Sequence, residues 1–354
     1  MKYILAVDSF KGCMSSAEVE TALAAELGKK GVESVCLPVS DGGDGMLEAF
    51  TEALGGSLEL VSVHDQMMRR VDAKYGMTAG GTAVIEVAQA CGLCLVKEEE
   101  RNPVRSTTYG VGEMLARAIK RGCRNFVVGL GGTGTSDAGI GMIRALVDIF
   151  ARGKNFDEAM KTELGECRFS LASDVDSPLC GENGAAHMFG PQKGATPQMV
   201  QLLEGRARMF AEKSAMHFGF DKSCIPGAGA AGGLGYAFMQ YLGAEMKSGA
   251  EMLLDLIGFD DKIKGADLII TGEGSADGQT LMGKLPQRVL LRGMRAGVPV
   301  GLLAGRVENR QKLIGAGFTF ADSITPDGMS QEEAVKKGVA IGNIRRWATS
   351  YNPV

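Results

Sequence analysis

Lysines, carboxylates and glycines that could handle an anion recur just after strand-like runs of this chain. Residues 2–7 read as a buried strand and run out on Asp8-Ser9-Phe10-Lys11-Gly12. A second short run, residues 35–39, stops at Ser40-Asp41-Gly42-Gly43-Asp44-Gly45. A third, Phe126-Val127-Val128, feeds a glycine turn in which Gly131, Gly132, Thr133, Gly134, Thr135, Ser136 and Asp137 precede a helix-compatible segment. A fourth, residues 267–271, exits on Gly272-Glu273-Gly274-Ser275-Ala276-Asp277. Glycine lets backbone N–H groups approach a phosphate without a Cβ in the way, and a helix start adds unpaired N–H groups and a positive dipole end. The turn after Val128 reads either as a tight strand-to-helix connection or as a cradle for phosphate or carboxylate. Its hydroxyls favour the cradle.

Several familiar patterns match only in part. Gly129, Gly131 and Gly134 fit G-x-G-x-x-G, but the dinucleotide fingerprint also needs an acid closing a second strand about 20 residues on. Asp148 and Asp157 close no such run. Gly278 to Gly283 with Lys284 fits G-x-x-x-x-G-K, yet Leu285 stands where a Walker loop needs Ser or Thr for magnesium. Lys284 at a glycine turn before a helix can still pair with a phosphate, or simply face water. Cys91 and Cys94 form the single C-x-x-C, in an apolar stretch without a second pair, which argues against zinc and for buried small hydrophobes. His64, His187 and His217 lack partner motifs.

The elements that must position these residues alternate. Strand, loop and helix repeat twice in the first 54 residues, with Ser15 or Ser16 capping the first helix. From about residue 58 the texture becomes antiparallel, with short alternating runs at 58–63 and 71–75. Helices are expected over 113–121, 142–150, 196–217 and 331–347, and strands over 82–87, 167–173, 298–304 and 318–324. A second glycine turn, residues 226–235, precedes another helix. The α/β texture returns after about residue 258. The expected architecture is therefore α/β: a Rossmann-like parallel-sheet domain built from both chain ends, 1–60 and 259–354, with a second α/β domain, 61–258, inserted. A small-molecule site is expected in a cleft between domains.

Composition sets the outer limits. The 354 residues are 45% hydrophobic and 23% charged, with a net charge of −4. That balance gives no electrostatic footprint for nucleic acid or an anionic membrane. No apolar run reaches spanning length, and the N-terminus has no secretory signal pattern. Eight scattered cysteines suit a reducing cytoplasm. A homo-oligomer stays open.

Taken together, these stretches resemble the bacterial glycerate kinase family, of the type related to glyoxylate and aldarate breakdown. The resemblance is carried by Asp8-Ser9-Phe10-Lys11-Gly12, Asp41-Gly42-Gly43-Asp44-Gly45, Arg101-Asn102-Pro103, Tyr109-Gly110-Val111-Gly112-Glu113 and Asp174-Val175-Asp176-Ser177-Pro178. The blocks FGPQKGA at 189–195, GAGAAGG at 227–233 and TGEG at 271–274 follow in the family's order. Two departures bear on substrate choice. The family's G-G-S-A-T-N-D-G-G reads GGTGTSDAG here, at residues 131–139, and Ser275 stands where an arginine is usual.

The resemblance implies two α/β domains and ATP-dependent phosphorylation of D-glycerate, giving 2-phosphoglycerate, with Mg2+. The attendant expectations are specific. Lys11, Asp41, Asp277 and Lys284 are the catalytic set, with Asp41 or Asp277 orienting the substrate hydroxyl as base. Gly131, Gly132, Thr133, Gly134, Thr135, Lys193, Gly272 and Gly274 hold the nucleotide or its anionic groups. Asp174, Asp176 and Glu273 are the metal ligands, and Asp174 and Asp176 would share one face if they lay on a strand. The competing readings are a kinase for another small hydroxy acid and a catalytically degenerate homologue that binds nucleotide or metabolite.

Overall fold

The computed structural model describes residues 1–10, 12–40 and 45–352. Lys11, Asp41 and Asp44 thus lie outside the described residues. In chain order the strands are β1 (Lys2–Val7), β2 (Glu33–Cys36), β3 (Ser57–His64), β4 (Arg70–Met77), β5 (Thr82–Glu86), β6 (Asn125–Gly129), β7 (Arg168–Ala172), β8 (Glu245–Lys247), β9 (Leu268–Gly272), β10 (Ser275–Ala276), β11 (Val300–Ala304), β12 (Arg306–Val307) and β13 (Ala321–Ser323). The chain forms two compact units. One comprises Met1–Asp41, Glu52–Leu54 and Ala250–Val354; the other comprises Gly42–Thr51 and Gly55–Gly249. β3 pairs with β4 along its whole length, so residues 57–60 go with the second unit, and Ala250 already belongs to the first.

The first unit is built on an all-parallel sheet of order β13-β11-β9-β1-β2. Its inner strands are unbroken apolar runs because helices cover both faces of such a sheet. Tyr3, Ile4, Leu5, Ala6 and Val7 are fully buried. The helix Ser16–Gly28 starts on a capping box, in which Ser15 Oγ accepts from Glu18 N and Glu18 Oε2 accepts from Ser15 N. Its Val19, Leu23 and Leu27 meet Leu5, Ile344 and Trp347 in one core. β10 and β12 form a separate two-stranded ladder.

The second unit carries a six-stranded sheet of order β3-β4-β5-β6-β7-β8, antiparallel from β3 to β5 and parallel from β5 to β8. Ile85, Val128 and Leu171 from its parallel strands share a core with Met114, Leu146 and Phe238 from the helices.

Several elements depart from their expected bounds, and the strand expected over 318–324 shrinks to Ala321–Ser323. The second strand ends at Cys36 rather than reaching Val39. A helix expected over 113–121 runs from Tyr109 to Lys120. Gly110 packs on the His64 carbonyl and Gly112 on Ala145, so glycines that weaken an isolated helix here permit close packing. The expected final helix is two, Gln331–Ala334 and Lys337–Ser350, because the first piece buries no residue and Lys336 is extended between them.

Candidate functional site

In the first unit, polar side chains cluster where the parallel strands end. β1 gives way to Asp8, whose N–H donates to the Gly272 carbonyl over 2.9 Å. β9 ends at Gly272, where a side chain would run into the Leu303 carbonyl oxygen. Glu273 follows and is only 8% exposed. Both of its oxygens are engaged: Thr280 Oγ1 donates to Oε1 over 2.7 Å, and Lys284 Nζ donates to Oε2 over 3.2 Å. Lys284 is the N-cap residue of the helix Leu285–Ala296, with Pro286 in its first turn. The preceding residues, Gly278–Leu281, form a single 3-10 turn and no phosphate loop. Asp277 caps that turn: its Oδ1 accepts from Gln279 N over 2.7 Å, while Thr280 Oγ1 accepts from Asp277 N over 2.9 Å.

These groups border a cavity of about 430 Å³. Asp8, Ser9, Glu273, Lys284 and Arg306 supply its polar wall, and Phe10, Ile324 and Ala340 part of its apolar wall. Gly274 and Ser275 also line it; Asp277 does not. Its wall mixes charged and apolar groups, as small-molecule sites do, and Glu308 adds a further carboxylate to it.

Underneath, Glu20 is fully buried and accepts from Val7 N over 3.0 Å. Ser16 Oγ donates to Val7 O over 2.6 Å and accepts from Val39 N over 3.0 Å. Burial holds the Glu20 carboxyl far above the usual carboxylate range. Together they tie the end of β1 to Val39.

In the second unit the turn after β6 is clamped from several sides. Leu93 N donates to Gly132 O and Gly134 N donates to Cys91 O, each over 2.8 Å. Gly132 has φ +67°, a conformation glycine adopts without Cβ strain. Lys193 is 2% exposed, and its Nζ donates to Thr135 O over 2.6 Å and to Thr133 Oγ1 over 3.2 Å. Burial pulls the Lys193 ammonium down to about 8. Asp137 closes the turn by accepting from Thr108 N, Thr108 Oγ1, Gly139 N and Gly141 N over 2.9–3.1 Å. Those bonds favour its ionised form, but burial outweighs them and raises its pKa. The second glycine turn lies directly behind: Ala138 N donates to Gly232 O over 3.0 Å, and a side chain at Gly232 would strike the Thr135 carbonyl oxygen.

The expected site residues thus sort into groups. Glu273, Lys284, Gly272 and Gly274 meet at the strand ends of the first unit, with Asp277 in the adjoining turn. Gly131, Gly132, Thr133, Gly134 and Thr135 form one turn in the second unit, and Lys193 reaches it through the chain fold. β7 stops at Ala172, so Asp174 and Asp176 sit exposed on the loop beyond it and not on a strand face. Among the described residues, no group of three or more His, Cys, Asp or Glu gathers to hold a metal ion. Thr280, Thr108, Ser16 and Glu20 also build these clusters, beyond the site residues the sequence points to. Thr280 had a signal, standing three residues after Asp277 in capping-box spacing. Glu20 had none, since a single acid on an amphipathic helix reads as solvent-facing.

Comparison with known proteins agrees with this picture. The sequence profile described as the glycerate kinase family matches residues 3–350. A glycerate kinase of Halalkalibacterium halodurans is 35% identical over 360 residues, covering 95% of this chain and 93% of that protein. A glycerate kinase of Haemophilus influenzae is 38% identical, covering 86% of each chain. A glycerate 2-kinase of Escherichia coli is 38% identical, covering 81% of this chain and 80% of its own. The crystal structure assigned as glycerate kinase 2 of Salmonella typhimurium superimposes with a TM-score of 0.86 at 33% identity, over 98% of this chain and 96% of that one. Among the described residues no helix is long and apolar enough to cross a membrane. With the match running through nearly the whole chain in sequence and in fold, this protein belongs to the glycerate kinase family of enzymes.

Proposed function

We propose that this kinase transfers the γ-phosphoryl group of ATP to the 2-hydroxyl of D-glycerate. The observation that carries the reading is the family match over residues 3–350, and the name glycerate 2-kinase borne by the E. coli relative favours the 2-hydroxyl. Phosphoryl transfer asks for positioning and charge neutralisation rather than covalent chemistry by the protein. Lys284, held by Glu273 at the mouth of the 430 Å³ cavity, is the amine we assign to the transferring group. Lys11 is assigned the same role. Asp277 or Asp41 orients the attacking hydroxyl and takes its proton. Gly272 and Gly274 let the backbone approach the nucleotide closely. The N–H groups of Gly131, Gly132, Thr133, Gly134 and Thr135, with Lys193 behind them, form the second anion-holding element.

Magnesium, when bound with ATP, neutralises phosphate charge. It is typically held by one or two carboxylates plus phosphates and water, so an all-protein cage is not required. Asp174 and Asp176, exposed beyond β7, suit that role. Glu273 suits it less, because its two oxygens already serve Thr280 and Lys284. We assign Glu273 to hold Lys284 in place.

One observation favours a second reading. Ser275 is exposed on the cavity wall where an arginine is usual, which leaves room for a larger hydroxy acid. The test of both is ADP release with Mg-ATP across a panel of hydroxy acids. D-glycerate is expected to give the highest kcat/KM, and its product a phosphorus resonance split by one proton, as on C2. Splitting by two protons would move the phosphate to C3, and a preferred larger acid would establish the second reading.

A further inference from the structure

We infer a second small-anion site in the second unit, for a compact phosphate or three-carbon phosphate ester. The site is a pocket of about 210 Å³ between residues 103–107, the start of the helix Ile140–Ala151 and the helix Pro197–Phe218. A water's share of liquid volume is about 30 Å³, so the pocket takes about seven waters or one three-carbon ester. Lys193 is not among its lining residues.

Arg144 and Arg206 both line the pocket. The Arg206 guanidinium is fixed by donating to the Val104 carbonyl over 3.0 Å, leaving further N–H groups of its fork for a ligand. Ser136 lines it too, is 8% exposed, and its buried Oγ has no hydrogen-bond partner. A buried hydroxyl left unpaired costs free energy, and a ligand oxygen would remove that cost. The one lining carboxylate, Asp137, accepts from Thr108, Gly139 and Gly141 rather than from the arginines, and Arg144 Nε faces Asp148 at 3.8 Å in an exposed pair that water screens. The first-turn amides are spent on Asp137 and Thr108, so recognition falls to the two arginines and the hydroxyl. Two guanidinium groups favour a doubly charged oxyanion. Ser136 and Asp137 belong to the turn whose Thr133 and Thr135 hold Lys193, so an anion here stiffens that turn.

The test is calorimetric titration of the full chain, without nucleotide or glycerate, with inorganic phosphate and separately with glycerol 3-phosphate. Because no turnover is involved, it stands or falls apart from the proposed reaction. Binding is expected with each probe, with tighter binding of the ester if the pocket takes the organic ligand and equal binding if free phosphate suffices. Arg144→Ala and Arg206→Ala, both at exposed positions that do not threaten folding, should each weaken binding at least tenfold. Ser136→Ala should weaken it severalfold. Wild-type affinity in the two arginine variants, or no binding at millimolar concentrations, would each overturn the site.

Discussion

Lys193 and Lys284 show how differently the two units treat a positive charge. Lys284 has 37% of its side chain exposed and pairs with a carboxylate. Lys193 is buried against a carbonyl and a hydroxyl, both uncharged. Around Lys284 the backbone is relaxed and capped. Around Lys193, Ala138 and Ala231 take positive φ of 54° and 53°, a conformation that costs an L-residue about 1–2 kcal/mol. Such strain persists only where packing over-determines the fold, and it gathers at ligand-holding elements. The first unit thus offers a reachable amine on a solvated rim, and the second a rigid turn set by interior packing.

The sharpest way to break this contrast is to disturb the packing behind the turn. Gly232 has φ +69°, and a Cβ there meets the Thr135 carbonyl. Gly232→Ala should therefore lower the unfolding free energy by about 2–5 kcal/mol, summing backbone strain and overpacking. Denaturant midpoints measure it; a loss below about 1 kcal/mol would mean the two glycine turns are not rigidly packed. Ala138→Gly should move the other way, gaining up to about 1 kcal/mol by relieving the positive φ.

Next in size is the pH dependence set by Lys193. Its folded-state pKa of about 8 lies below the value for an unfolded lysine, about 10.4. Between those values the unfolded chain binds a proton that the native chain has released, so raising the pH favours the native state. Relative to Lys193→Met, the wild type should gain about 3 kcal/mol from pH 8 to pH 10.5 and show no further change below pH 8. A flat difference across that interval would place the ammonium in contact with a compensating charge.

The fold was legible wherever local chemistry and burial agree. The run Tyr3-Ile4-Leu5-Ala6-Val7 could be little else than a central strand. Thr196-Pro197 marks a helix start that the structure reproduces, with Thr196 Oγ1 accepting from Met199 N. What local sequence conceals is partnership. Gly110 and Gly112 look like helix breakers until the carbonyl of His64 and the methyl of Ala145 come against them. Glu273 looks like a metal ligand until Thr280 and Lys284, seven and eleven residues on, turn back to meet it. The burial of Lys193 is invisible in a segment as polar as Pro191-Gln192-Lys193-Gly194, because the turn that covers it lies some 60 residues away.

The smallest expected effects separate the groups we assign to the reaction from those that hold the fold. Lys284→Ala removes an ion pair that is partly in water, so it should change stability by no more than about 1 kcal/mol. It should nevertheless lower kcat with Mg-ATP and D-glycerate at least tenfold, about 1.4 kcal/mol in the barrier. Asp277→Asn is the finer test. Asn caps a turn nearly as well as Asp, so the bond from Gln279 N survives and stability should stay within about 0.5 kcal/mol. Only the ability to take a proton is lost. A tenfold or greater fall in kcat with KM little changed would make Asp277 the base, whereas unaltered turnover would leave that role to Asp41. If Lys193→Met, folded and assayed at pH 7, slowed turnover more than Lys284→Ala does, the buried amine rather than the exposed one would be the group nearest the transferring phosphoryl.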